Sequence, residues 1–399
     1  MISRRIGAAL LAFLLPPLAA GCWDRIEIDR HSFVTGIAVD AVTPATRDER
    51  VNTDPGRYHA TYQIIIPAGL KNMPGVGGTT GDNAFFNIGA SEDAMPSLAA
   101  RMTLKLSRPP YFEHLKLIVV SDEVAQQVNE FPNVLDYYLR NSKMRRDVDV
   151  LVSQGNAEQT LTIRPLNEKT PVEQLQTTYN THTSSFMVKP SRIGDVHEYF
   201  LKKKSFAMQS IKKLGNDSTF GGAALYNGTE QRLVGFLTGE MTQGLNLLLG
   251  TLQGGIVETT MKGDVIDMSI ERAKRTIRAA IPKAGTDDPV RFTFRINVEG
   301  AVEKSADQVD LNEKANIRAM EERFRERLDE VLRLTMRTLQ ARKTDAVGLG
   351  THLDQRHYRY WKQIRTRWEP ELFPKAECSF DIRVILRHNG NINRERHAE

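Results

Sequence analysis

The residue best placed for a defined chemical reaction is Cys22, which follows a short apolar run near the start of the sequence. Two arginines precede the apolar residues 6–15, and small residues stand directly before the cysteine. A positive segment, a short apolar run and small residues at a cleavage point are typical of a secretory signal. With cysteine next, the pattern predicts a lipoprotein signal peptide at 1–21 and a diacylglycerol on the Cys22 thiol. A plain secretory signal that ends near a cysteine is the alternative.

Other nucleophilic and acidic residues do not combine into a catalytic pattern. Ser210 and Lys213 spell Ser-x-x-Lys, but the partner motifs of penicillin-recognising enzymes and a Gly-x-Ser-x-Gly elbow are missing. Asp147 and Asp149 could share one face of a strand, yet two arginines adjoin them and favour ion pairs. Cys378 lies in a strand pattern, which predicts a small core residue rather than a nucleophile. We therefore expect no catalytic residue.

Metal and phosphate sites lack the spacings that they need. The nine histidines include no His-x-x-x-His pair, and a cysteine pair at ligand spacing is missing. His352 and His357, five residues apart near a helix start, are expected on the surface. Gly75, Gly77 and Gly78 open no helix, so they predict a flexible loop rather than a cradle for pyrophosphate. We expect neither a metal nor a cofactor.

The composition is that of an ordinary globular protein. The 399 residues are 26% charged and 40% hydrophobic, with 54 Lys+Arg against 49 Asp+Glu. These values exclude a disordered or collagen-like chain, and the thin positive excess, without a basic patch that holds aromatics, gives no reason to expect nucleic acid. Two cysteines exclude a disulfide framework. At roughly 150 residues per domain, the length suggests two or three domains.

Strands and helices alternate in the predicted first half. Residues rich in β-branched side chains predict strands at 32–40, 58–66, 115–120 and 148–152. Helical patterns occur at 91–106, 134–139 and 157–161. This alternation predicts an α/β region over 22–205, as two small domains. A lysine-rich stretch then predicts solvated strand ends or a connector, which we place at 206–218.

The predicted second half consists of short strands and a long helix. Strand patterns lie at 219–226, 232–237, 254–258, 265–270, 277–281, 291–302 and 378–387, and helical ones at 242–249 and 353–368. Apolar residues of 312–342 recur every three or four positions, which predicts one long amphipathic helix packed across an antiparallel sheet. The fold class is therefore α+β, a multi-domain mixed α/β lipoprotein with a C-terminal domain at 219–388 and a frayed tail at 389–399.

Twelve segments, in order and nearly end to end, resemble the Ger(x)C family, the lipoprotein C subunits of spore germinant receptors. They are GCWDRIEI at 21–28, GIAVD at 36–40, HLKLIVVSDEVA at 114–125, DYYLRN at 136–141, RRD at 145–147, GAALY at 222–226, LVGFL at 233–237, TQGL at 242–245, LG at 249–250, GGIV at 254–257, YWK at 360–362 and WEPELFP at 368–374.

The resemblance implies a mixed α/β fold of several small domains, held by the Cys22 lipid on the outer face of the spore's inner membrane. It implies a polytopic A subunit and a polytopic, transporter-like B subunit as partners. Such receptors sense amino acids, sugars or nucleosides and trigger spore germination. The family is not known for catalysis, so the resemblance implies neither an enzyme nor a cofactor.

Two other classes of protein make different predictions. A solute-binding lipoprotein of a membrane transporter would have two similar lobes with parallel sheets and a ligand cleft. The antiparallel pattern of the second half and its long helix fit that class poorly. A cell-wall hydrolase would need a constellation of carboxylates or a metal site, which the sequence does not offer.

Overall fold

The computed structural model describes residues 31–42, 57–70, 83–141, 144–181, 184–283, 288–304 and 313–388. The predicted signal peptide, Cys22, the glycines at 75–81 and the tail at 389–399 lie outside these residues. Two sheets and the helices packed on them make up the described part of the chain.

Nine strands form the first sheet, in the order β3-β2-β1-β5-β6-β7-β8-β9 with the short β4 beside β1. They are β1 Ser32–Ala41, β2 Tyr58–Ile65, β3 Phe85–Glu92, β4 Pro110–Tyr111, β5 Leu117–Ser121, β6 Asp149–Ser153, β7 Phe206–Leu214, β8 Asp217–Asn227 and β9 Arg232–Leu237. Strands β1, β5, β6 and β7 are parallel, whereas β2, β3, β8 and β9 pair antiparallel.

Burial on both faces explains the sequences of the central strands. All five residues of β5 and of β6 are buried, as expected for parallel strands covered by helices on both sides. The covering helices are α1 Pro67–Leu70, α2 Met95–Lys105, α3 Asp122–Gln126, α4 Glu130–Leu139, α5 Pro171–Asn180 and α6 Ile193–Leu201, with a 3₁₀ helix at Glu158–Thr162.

The second sheet has four strands, in the order β10-β11-β12-β13. They are β10 Ile256–Met261, β11 Asp264–Ala280, β12 Arg291–Lys304 and β13 Glu377–His388. Strands β10 to β12 pair antiparallel, but β13 is parallel to β12 because helices connect the two. The helices of this half are α7 Gly239–Leu249, α8 Lys314–Ala341, α9 Leu349–Arg356 and α10 Tyr358–Ile364, followed by a π-helical turn Trp368–Leu372 and a 3₁₀ turn Phe373–Lys375.

The predicted α+β class is confirmed, as is the long amphipathic helix. Helix α8 has 28 residues, and its apolar stripe, which includes Phe324, Leu328 and Leu332, is buried. Other predictions need correction. The strands predicted at 265–270 and 277–281 are one continuous strand, β11, and the helix predicted at 353–368 divides into α9 and α10.

Residues 206–218, where the sequence predicted solvated strand ends or a connector, form β7 and the start of β8. Strand β6 pairs with β7 only at Ser210 and Ile211. The lysine-bearing end of β7 therefore extends beyond β6 beside β8 alone, where charged side chains reach solvent. The first sheet continues through β9, so its last strands lie in the range predicted as the C-terminal domain. The domain boundaries themselves stay a prediction.

Candidate functional site

The structure separates the serine and the lysine of the Ser-x-x-Lys match. Ser210 is buried in β7, accepts a hydrogen bond from Gln154 Nε2 at 3.0 Å and donates to the Gly221 carbonyl at 3.4 Å. Lys213 donates to Thr162 Oγ1 at 3.0 Å. Positions three apart on a strand face opposite sides of the sheet, so the pair forms no catalytic dyad.

The two aspartates near β6 also have separate roles. Asp147 is exposed and pairs with Arg145 at 2.6 Å, which confirms the predicted ion pair and lowers the pKa of this carboxyl. Asp149 is buried and accepts hydrogen bonds from Asn180 Nδ2 at 2.9 Å and Gln176 Nε2 at 3.3 Å. Burial raises its pKa, and the two amides partly oppose that effect. Asp149 therefore connects β6 to helix α5.

The remaining candidates lie apart from these residues. Cys378 packs against the core from β13, as predicted, and burial raises the pKa of its thiol to about 12. His352 lies on α9, where partial burial and the neighbouring Arg356 lower its pKa. Within the described residues, no group of three or more histidine, cysteine, aspartate or glutamate side chains is arranged to hold a metal.

The most elaborate polar arrangement surrounds helix α7, between the two sheets. Every residue of 242–248 is buried, because the helix packs against β8 and β9 of the first sheet and against β11 and α8 of the second half. Gly244 allows the close contact with α8, since a Cβ atom there would lie 2.3 Å from Thr335 Oγ1. Thr238 caps the helix start and Gly250 ends it in the left-handed conformation, with φ 72°.

Two amide side chains of α7 hold a loop of the first half. Gln243 Nε2 donates to Ser185 Oγ at 2.9 Å and to the Ile256 carbonyl at 3.0 Å. Asn246 Nδ2 donates to the carbonyls of Ser185 at 3.1 Å and Met187 at 2.8 Å. Because buried amides are costly unless bonded, these contacts fix α7, the loop and β10 in one arrangement.

A second polar cluster is centred on the buried carboxylate of Asp345, between α8 and α9. It accepts hydrogen bonds from the backbone N–H groups of Gly348 at 2.9 Å, Leu349 at 2.9 Å and Gly350 at 2.6 Å. Trp368 Nε1 donates to the same carboxylate at 2.9 Å. The aspartate thus holds the start of α9 against the π-helical turn. A carboxylate three to five residues before N–H groups at a helix start was the signal that sequence reasoning missed.

The turn between β8 and β9 binds this cluster from the other side. Glu369 Oε1 accepts from the Asp345 backbone N–H at 3.0 Å, and Glu369 Oε2 accepts from Thr229 Oγ1 at 2.7 Å. Asn227 Nδ2 donates to the Lys343 carbonyl at 3.0 Å. Burial raises the pKa of Glu369. We call helix α7 with its amide contacts, the Asp345 cluster and the turn between β8 and β9 the junction, since together they join the two halves through hydrogen bonds.

Two surface cavities flank the junction. One, of about 220 Å³, is lined by residues that include Asn133, His197 and Tyr226, and the other, of about 340 Å³, by residues that include Lys189 and Asn246. In the second cavity, Ser185 Oγ accepts the hydrogen bond from Gln243 Nε2 described above. The candidate site is therefore a structural junction between the halves.

Two protein-family models together match nearly the whole of this chain. The family model for the spore germination protein N-terminal domain matches residues 24–213, and the model for the spore germination B3/GerAC-like C-terminal domain matches 221–390. The chain belongs to the Ger(x)C family. The first family model ends within β7 and the second begins within β8, so the boundary between the two domains falls inside one continuous sheet.

Relatives of the Ger(x)C chain are similar over nearly their whole length. Spore germination protein B3 of Bacillus subtilis is 26% identical over 392 residues, 97% of this chain and 98% of the relative. Spore germination protein A3 of the same organism is 22% identical over 384 residues, 96% and 97% of the two chains. The crystal structure of the GerBC protein has a TM-score of 0.60 and 24% identity, and covers 91% of this chain and 99% of that one.

Many residues that carried the family resemblance lie in the core or the junction. Segments 36–40 and 117–121 are buried in β1 and β5, and 242–245 in α7. Trp368 and Glu369 contact Asp345 directly. In this Ger(x)C chain these motifs therefore specify the fold. Among the described residues, no helix is both long and apolar enough to cross a bilayer.

Proposed function

We propose that this protein is a non-enzymatic, membrane-anchored subunit of a spore nutrient germinant receptor. The observation that carries the proposal is the match to two consecutive spore germination family models, at 24–213 and 221–390. The relatives named above are spore germination proteins that align over nearly their whole length. The separation of Ser210, Lys213, Asp147 and Cys378 fits a role without catalysis.

In this proposal, Cys22 carries the lipid that holds the protein on the outer face of the spore's inner membrane. Each buried CH₂ group contributes about 0.8 kcal/mol, so two acyl chains anchor stably where one chain is marginal. Anchoring confines the protein to the plane of the membrane and raises its effective concentration for polytopic A and B subunits. Weak surface contacts then suffice for receptor assembly. The junction supports this role, because its hydrogen bonds hold the two halves in one arrangement and so present a single docking surface.

The alternative, a solute-binding lipoprotein, finds less support. That class predicts two similar lobes, whereas the described halves contain a nine-stranded mixed sheet and a four-stranded sheet of different topology. The two cavities at the junction lie on the surface beside hydrogen-bonded loops and do not form a cleft between like lobes. The two different sheets therefore favour the receptor subunit over the solute-binding lipoprotein.

The direct test of anchoring replaces Cys22→Ala in the native gene. We expect the variant to leave the spore membrane fraction and the spores to lose their response to the nutrient that this receptor senses. Cys378→Ala is the matched control, since it removes the other thiol from a core position in β13. Fractionation, immunoblotting and the fall in optical density of germinating spores are the measurements.

The two cysteine variants distinguish a loss of anchoring from a loss of stability. Membrane retention and a normal nutrient response in Cys22→Ala spores would contradict anchoring through this thiol. Loss of the protein from both variants would indicate instability and would be resolved by immunoblotting before fractionation. A nutrient response that fails only with Cys22→Ala, in spores that still germinate with calcium dipicolinate, would support the proposal.

A further inference from the structure

Within the part of the chain that the structure describes, one face of the second sheet is uncovered. In β12, Phe292, Phe294 and Ile296 point into the core, whereas the alternate residues Thr293 and Arg295 are exposed. Helix α8 contacts β10 and β13 and covers the buried side. We call the opposite side the open face. It is made by the residues of 256–260, 265–280, 291–303 and 377–387 that point away from the buried side. Residues that point to it are mostly charged or hydroxylated.

Strand register places the cations of the open face in rows. Lys274 of β11 lies opposite Asn297 of β12, which lies opposite Arg383 of β13. Arg278 lies opposite Thr293, two rows nearer the β11–β12 connection. Adjacent strands are about 4.8 Å apart, so Lys274 and Arg383 stand about 10 Å from each other on one flat surface.

The carboxylates near these three cations are paired with other residues. Glu299, which interacts electrostatically with Lys274, is paired with Arg387 at 3.1 Å. The acidic residues of β13 on this face are already paired, Glu377 with Arg291 at 2.8 Å and Asp381 with Arg295 at 2.9 Å. Among the described residues, Lys274, Arg278 and Arg383 form no ion pair. This part of the open face, which we call the basic end, therefore carries a net positive charge.

Acidic residues occupy the opposite end of the same face. Glu258 of β10 lies across from Asp267 of β11, and Glu303 lies near the end of β12. The open face therefore combines a cationic region at one end with acidic groups at the other.

We propose that the basic end of the open face lies against an anionic phospholipid surface. Lysine and arginine near such a surface attract its anionic headgroups. The acidic groups at the other end would be repelled, so the same contact orients the protein. The inference rests on the proposed function only for the presence of a membrane near the anchored chain.

The test compares vesicle binding of charge-reversal variants. The full chain with Cys22→Ala, which cannot carry the thiol-linked lipid, is mixed with vesicles of phosphatidylcholine alone or of equimolar phosphatidylcholine and phosphatidylglycerol. The first variant combines Lys274→Glu, Arg278→Glu and Arg383→Glu. The matched control, with the same charge change on the exposed side of α8, combines Lys314→Glu, Arg318→Glu and Arg337→Glu.

We expect the parent chain to prefer the anionic vesicles and to lose this preference at high salt. Each cation near the surface contributes roughly fivefold to partitioning, so loss of three cations alone should weaken binding about a hundredfold, and their replacement by glutamate at least as much. The control should bind like its parent. Equal binding of the two variants, or equal binding of the parent to both vesicles, would overturn the inference. So would a first variant that binds vesicles normally but fails in spores, which would assign the basic end to an acidic protein partner.

The experiment separates this inference from the proposed function. A failure of vesicle binding leaves the germination phenotype of Cys22→Ala spores unaffected, because the lipid anchor does not depend on the open face. Conversely, vesicle binding by the basic end would persist in a protein with no role in germination.

Discussion

The two sheets of this protein differ in how many of their faces are buried. The central strands of the first sheet are buried on both faces, with Val39, Ile118 and Val150 in one cluster and Ala38, Val119 and Leu151 in another. Strand β12 of the second sheet is buried on one face only. Stability is therefore concentrated in the first sheet and under the second, and the open face is left for interactions with other surfaces.

The comparison predicts a large difference between two aspartates of the second half. Asp345→Ala removes the acceptor of three backbone N–H groups and of Trp368 Nε1, and should reduce the free energy of unfolding by about 4 kcal/mol. Asp381→Ala on the open face, where the carboxylate is 58% exposed, should cost less than about 1 kcal/mol. Denaturant unfolding of both variants measures the difference, and equal losses would contradict the contrast between the buried Asp345 cluster and the exposed Asp381.

Side-chain truncation tests the two sheets directly. Leu151→Ala in β6 leaves a cavity in a fully buried site and should cost about 3 kcal/mol. Thr293→Ala on the open face should change stability by about 0.5 kcal/mol or less. Thermal unfolding followed by circular dichroism compares the two. A Thr293→Ala variant as unstable as Leu151→Ala would show that the open face is covered.

A buried carboxyl of the first sheet predicts a pH dependence. Burial raises the pKa of Asp40 to about 6, although the N–H groups of Ala157 and Glu158 partly oppose this effect. Because the folded-state pKa lies above the unfolded value, the protonated form stabilises the fold below about pH 4, and this stability is lost as the pH rises to about 6.

Asp40→Asn removes that titration and leaves a pH-independent offset. The stability of the parent relative to this variant should fall by on the order of 2 kcal/mol between pH 4 and pH 7. Asp147→Asn is the control with the opposite sign, because its ion pair lowers the pKa of Asp147. A parent and Asp40→Asn variant whose stabilities follow the same pH curve would contradict the assigned titration.

The smallest expected effect concerns the ion pairs of the open face. Arg295 and Asp381 are 2.9 Å apart and more than half exposed. A double-mutant cycle with alanine at both positions should give a coupling energy below about 1 kcal/mol that decreases with added salt. A larger, salt-independent coupling would indicate a buried pair and a covered face.

How far the sequence predicted this structure depended on local periodicity. The apolar run of β5 and the three-to-four spacing of α8 are local signals, and both elements are present. Strand β3 was missed because Phe85–Glu92 lies beside glycine-rich sequence, and α5 because its short stripe is interrupted by polar residues. Whether such a segment forms a strand or a helix depends on its long-range contacts, which the local periodicity of the sequence does not encode.

The candidate site was predictable only in part. The sequence placed Trp368 and Glu369 in a family motif, but Asp345 looked like an ordinary loop residue until its partners were known. The alternation of Arg291, Thr293 and Arg295 indicates a strand with one exposed face. The rows formed with Lys274 and Arg383 required the strand register, which is a non-local property.

The central claim is that the protein belongs to a germinant receptor. Its most direct test deletes the coding region in the host and follows the optical density of purified spores given defined nutrients. We predict spores that fail to respond to one nutrient class but germinate normally with calcium dipicolinate, which bypasses the receptor. Unchanged responses to every nutrient, in a host with no second Ger(x)C receptor gene set, would contradict the claim.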